Sequence, residues 1–179
     1  LLVELQSVVQ AHVAGALPDP LATYRELEAR GLKHPVLWIN LAQLELHAGE
    51  LDHAAACLNQ TIKLQPQLAL AWSLLGTVHR RLGDVARAME ALQQSLQLDS
   101  QNFSAWLTLS VVLHDSGQFA EAHEACLKAL ALEPESAAAH ANFSMILLAL
   151  DDPQAAEVSA RAAISRDPML PEAHLNLGN

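Results

Sequence analysis

The chain repeats itself every 34 residues, and this period constrains its fold more than any other feature. Trp38, Trp72 and Trp106 stand one step apart, and the next two steps land on His140 and His174. Three residues after each comes Leu41, Leu75, Leu109, Phe143 or Leu177, and four after comes a small residue: Ala42, Gly76, Ser110, Ser144 or Gly178. The same step links Gly49, Gly83 and Gly117 to Asp151, and Ala54 to Ala88, Ala122 and Ala156. It also links Pro66, Pro134 and Pro168, with Ser100 standing in once. No insertion breaks the register across residues 35–179. A fixed period of this length means stacked supersecondary units, each burying its apolar face on its neighbours.

Each unit reads as two helical segments. Half of the chain is apolar, aromatics are few, and Ala and Leu dominate, a composition biased toward helix. The first segment spans about fourteen residues by its apolar spacing and ends where a glycine takes the left-handed conformation that closes a helix. The second follows a short turn, as over Asp52 to Leu64, and stops before proline. Alanines at its head let two backbones approach, while Leu58, Leu92 and Cys126 fill the wider gap further along. Units are expected at residues 35–68, 69–102, 103–136 and 137–170, with a further one beginning at 171–179. Residues 1–34 form a degenerate copy. Gly15, Tyr24 and Leu27 keep the register, but Pro20 occupies the alanine position and no tryptophan occurs. A terminal repeat with one face toward solvent or another domain suits a capping role.

Composition excludes several partners. Ten basic against twenty acidic residues leave a net charge of −10, the opposite of the basic stripe that displaces counterions from nucleic acid; an anionic membrane is disfavoured for the same reason. No apolar run approaches the roughly 20 residues that span a bilayer. The opening LLVELQSVVQAHVAG carries Glu4, Gln6, Gln10 and His12, and reads as an amphipathic helix rather than a signal segment. Cys57 and Cys126 form no CxxC motif and are expected as buried thiols in a reducing, cytoplasmic setting. Nine histidines show neither HxxxH nor HExxH spacing, so no metal site and no cofactor are expected. There is no glycine-rich phosphate loop, no G-x-S-x-G and no nucleophile–base pair, and the chain reads as non-catalytic. Beginning without Met and ending at LNLGN, it reads as a piece of a longer protein.

The W-x2-L-[GAS] pair, the turn glycine, the alanine and the proline at this period resemble the tetratricopeptide repeat. The resemblance covers the whole chain, most strongly residues 35–170. It implies an all-α, right-handed superhelical solenoid of antiparallel helix pairs, with a concave face lined by first helices. Departures are local: Glu45 and His79 stand where a large apolar or aromatic residue is usual, His140 and His174 replace the first aromatic, and Ser100 replaces proline. In such a fold the tryptophans pack repeat on repeat and are structural.

The resemblance also places the second, fifth, sixth, ninth, twelfth and thirteenth residues of each repeat on the concave face. The candidate partner-binding residues there are Asn40, Gln43 and His47; Thr77, Arg80 and Arg81; Thr108, Val111 and His114; and Asn142 and Met145. His47, His79 and His114 lie near the ends of successive first helices and are candidate neighbours across repeats. No inner position carries Lys, which argues against a dicarboxylate clamp of the chaperone-binding type. WINLAQ (Asn40), HANFSM (Asn142) and HLNLGN (Asn176, Asn179) resemble the inner asparagines of O-linked N-acetylglucosamine transferase arms, interrupted by Leu74 and Thr108. The expected function is therefore a protein-interaction scaffold that binds a peptide or protein partner. The alternatives are a substrate-recruiting arm of a larger glycosyltransferase-type enzyme and a module that self-associates through its groove or an end repeat.

Overall fold

The structure, a computed structural model, describes residues 1–178 and contains, among them, eleven α-helices and no strand. In chain order they are α1 (Leu2–Val13), α2 (Pro20–Ala29), α3 (Pro35–Ala48), α4 (Leu51–Leu64), α5 (Ala69–Arg81) and α6 (Val85–Leu98). They continue with α7 (Phe103–Asp115), α8 (Phe119–Leu132), α9 (Ala137–Ala149), α10 (Pro153–Arg166) and α11 (Pro171–Asn176). None of them is long and apolar enough to cross a membrane.

Sequence chemistry sets the helix ends. Asp19, Asp84, Asn102, Ser136 and Asp152 each cap a helix by accepting a hydrogen bond from the backbone N–H three residues on. Each first helix ends in one recurring turn. Gly49, Gly83 and Gly117 adopt φ of 86°, 77° and 79°. The following N–H then donates back to the carbonyl of Glu45, His79 or Leu113 at 2.9 Å. This is the bond that closes a Schellman-type cap. Asp151 makes the same turn at φ 62° and is the one non-glycine residue with positive φ among those described. At the end of α6, where Ser100 replaces proline, the Asp99 carboxylate accepts from Gln101 N–H at 2.9 Å, the same turn that Asp167 makes with Met169 N–H at 3.0 Å around Pro168.

Packing follows the period. Each first helix pairs with its own second helix, and each second helix packs on the next first helix. First helices also touch one another, α3 on α5, α5 on α7, α7 on α9 and α9 on α11, forming one continuous row. Ala54, Ala88, Ala122 and Ala156 are all fully buried at the close crossings. Gly76 shows how tight a crossing is: a Cβ there would lie 2.5 Å from Leu92 Cγ and 3.3 Å from the Ala88 carbonyl oxygen.

The aromatic register is a repeat-to-repeat fastener. Trp72 Nε1–H donates to the Pro66 carbonyl and Trp106 Nε1–H to that of Ser100, both at 2.9 Å. His140 and His174, which replace tryptophan, place Nε2 at 2.9 Å from the carbonyls of Pro134 and Pro168. One hydrogen bond, to the carbonyl six residues upstream, is thus kept through a change of side chain. Trp38 departs from it and donates to Glu28 Oε1 at 3.1 Å.

Candidate functional site

The row of first helices carries all eleven candidate residues, and none of them is buried: His47 and Arg81 are exposed and the rest half-buried. Around them Val36, Leu70 and Leu148 stand 40–44% exposed, large apolar groups left uncovered by the chain itself.

The polar candidates differ in what their side chains already hold. Asn40 Nδ2–H donates to the Val36 carbonyl at 2.7 Å, and His47 Nδ1–H to that of Gln43 at 2.6 Å, both within α3. Thr77 Oγ1 donates to Ser73 O and meets Thr108 Oγ1 at 3.5 Å, joining α5 to α7. Arg81 reaches back and donates to the Leu46 carbonyl on α3. Asn176 donates to the Ala141 carbonyl at 2.8 Å and ties α11 to α9; Asn179 lies outside the described residues. Asn142 makes no side-chain hydrogen bond among the described residues, and the buried Nε of Arg80 has no partner among them either.

The three histidines do not form a shared set. His114 Nδ1 pairs with Asp115 Oδ1 at 3.2 Å, and its ring meets Phe119 with centroids 5.5 Å apart. His79 lines a cavity of about 160 Å³ with Trp72, Leu75, Arg87 and Glu90. It thereby faces α6 and is displaced from the row that holds His47. Burial pushes its imidazole below the usual histidine range, and its Nδ1 is buried without a partner among the described residues.

A second constellation escapes any reading of spacing along the chain. Glu45, at a position usually apolar, is fully buried. The Arg25 guanidinium donates to it from α2 at 3.1 Å, and His53 Nδ1 on α4 lies 2.6 Å from its Oε2. His53 Nε2 is 3.5 Å from Glu28 Oε2, while Cys57 Sγ lies 3.9 Å from Glu28 Oε1 and 3.8 Å from His53 Nδ1. Glu28, His53 and Cys57 each offer a donor atom, all within 4.8 Å of one another. Linear spacing predicts no metal site; here α2 and α4 bring the groups together across the fold. Two signals in the sequence point this way: a glutamate in the apolar register, and His53 and Cys57 four residues apart on one helix face. Burial and the nearby carboxylates of Glu28 and Glu45 push the Cys57 thiol up to about 12. Cys126, also buried, is likewise pushed up to about 12 by desolvation.

Tetratricopeptide repeat models match residues 39–103 and 79–141, which together span more than half of the chain. No curated protein matches the sequence. Among solved structures, the chain is similar to TTC0263, a thermophilic TPR protein of Thermus thermophilus, at 16% identity and a TM-score of 0.79. That likeness covers 98% of this chain and 95% of the other. YrrB, described as a TPR protein with an unusual peptide-binding site, matches at 16% identity and a TM-score of 0.72, over 98% and 91% of the two chains. A MamA fragment from Desulfovibrio magneticus RS-1 matches at 22% identity and a TM-score of 0.70, over 80% and 81%. At these identities the likeness is one of fold.

Proposed function

Because the chain belongs to the tetratricopeptide repeat family, we propose that it is a protein-interaction scaffold whose groove, lined by α3, α5, α7 and α9, holds a peptide segment or partner domain. The observation that carries this reading is the continuous row of first helices, which leaves Val36 on α3, Leu70 on α5 and Leu148 on α9 exposed and the Asn142 amide unengaged among the described residues. Apolar side chains of a ligand would find anchors there, and the amide both donates to and accepts from a peptide backbone. Arg80 and Arg81 at the end of α5 would favour an acidic group in the ligand. YrrB, a protein of the same fold, has a peptide-binding site, which supports a peptide as the kind of ligand such a fold takes.

The transferase-arm alternative draws on the inner asparagines. Asn40 and Asn176 commit their amides to the carbonyls of Val36 and Ala141, which favours the scaffold reading. Selection from a displayed peptide library, followed by fluorescence anisotropy, tests it. Asn142→Ala should weaken a selected peptide by about 2–10-fold while leaving the melting temperature unchanged. If Asn142→Ala and Leu70→Ser both leave affinity untouched, the groove is not the binding surface.

A further inference from the structure

The polar cluster between α2, α3 and α4 is built from residues that are not found together at the matching positions of any later repeat. One period on from Glu28, the chain carries Ile62, then Leu96, Leu130 and Ile164. The positions matching Glu45 are His79, Leu113 and Leu147, and those matching Cys57 are Ala91, Ala125 and Ser159. The fold therefore needs none of these polar groups to build a repeat. Three elements nonetheless deliver two carboxylates, an imidazole and a thiol to one place.

We propose that Glu28, His53 and Cys57 form a binding site for a divalent transition-metal ion of the zinc class, with Glu45 fixing the imidazole. The geometry supports it. A tetrahedral ion with bonds of about 2.0–2.3 Å to N, O and S sets its ligands roughly 3.3–3.8 Å apart. His53 Nε2 and Glu28 Oε2 stand 3.5 Å apart, and Cys57 Sγ completes a set of three donor atoms that all lie within 4.8 Å of one another. Glu45 accepts the Nδ1–H of His53 at 2.6 Å, the outer carboxylate contact that turns Nε2 toward a metal. Nε2 is the nitrogen that faces Glu28.

Charge balances as well. On binding, the Cys57 thiol gives its proton to solvent and becomes a thiolate ligand. Two glutamates and one thiolate then offset the ion together with Arg25, which holds Glu45. Mixed thiolate, imidazole and carboxylate donors suit zinc and its neighbours and disfavour magnesium or calcium, which take oxygen. An entry path exists, because the His53 side chain is 46% exposed while Cys57 is buried beneath it.

The test is a cobalt(II) titration of reduced, chelator-treated protein. The expected result is saturation at one equivalent with a thiolate-to-cobalt charge-transfer band, removed on adding zinc(II), and a higher melting temperature with zinc. Cys57→Ser should abolish the band and Cys126→Ser should retain it. His53→Gln alters a side chain that is 46% exposed, and should weaken affinity at least about 10-fold. Glu45→Gln should weaken it about 10–100-fold, as for loss of an outer carboxylate. Absence of the band overturns the proposal. So does a band that follows Cys126, or an affinity unchanged by His53→Gln.

Discussion

Residues 45 and 113 hold the same place two repeats apart, yet one is a fully buried glutamate and the other a buried leucine. The leucine serves the later repeats by filling the space between paired helices, as Leu147 does again. The glutamate occupies that space and adds a charge to it, held by Arg25 and His53. A buried ion pair of this kind seldom stabilises more than an apolar replacement would, because desolvating the charges offsets their attraction. The comparison teaches that the first repeat gives up apolar packing at one point and gains a cluster of ligating groups.

The largest expected effect comes from attacking that difference directly. Glu45→Ala leaves a void and removes the acceptor of two donors. It should destabilise the protein by about 2–3 kcal/mol, below the 3–5 kcal/mol of a fully buried pair because Arg25 and His53 reach solvent. Glu45→Leu should recover that loss and unfold at or above the wild-type denaturant midpoint. A Glu45→Leu protein as unstable as Glu45→Ala would show that the carboxylate is needed for the fold itself.

Next comes Gly76, whose register neighbours are Ala42, Ser110 and Ser144. Gly76→Ala drives a methyl into buried Leu92 and toward the Ala88 carbonyl, and should cost about 1–3 kcal/mol in urea unfolding. A neutral result would mean that α5 and α6 can separate to the spacing of the other pairs. Smaller again is the fastener. His140→Phe and Trp72→Phe each remove one hydrogen bond to a loop carbonyl, and calorimetry should record losses of about 1 kcal/mol for both. Unequal losses would separate the histidine repeats from the tryptophan ones. The smallest effect belongs to Asp151→Gly. It relieves a left-handed aspartate and should raise stability by about 0.5 kcal/mol, since part of the relief is offset by the greater freedom of glycine in the unfolded chain.

The solenoid was readable from the sequence because its determinants are local and periodic. Turn glycines, cap residues and alanines act within a few residues of themselves, and their recurrence announces the stack. Even the departures had a local logic, for His140 and His174 satisfy the same carbonyl geometry as tryptophan. The groove was readable only as a set of positions. Arg81 reaching Leu46, Asn40 folding onto Val36 and Asn142 left unengaged depend on rotamers and on the distance between first helices. No repeat pattern encodes those.

By itself, then, the sequence determined an all-α stack of 34-residue units and the places where polar residues interrupt it. Tertiary structure alone decided that Glu28 and Cys57, 29 residues apart, meet beside His53 and Glu45. It likewise decided that His79 turns toward α6 while His47 stays in the row of first helices. The physical reason is one of range. Helix ends and close crossings are written in neighbouring residues, but a cluster of side chains from three helices exists only once those helices pack.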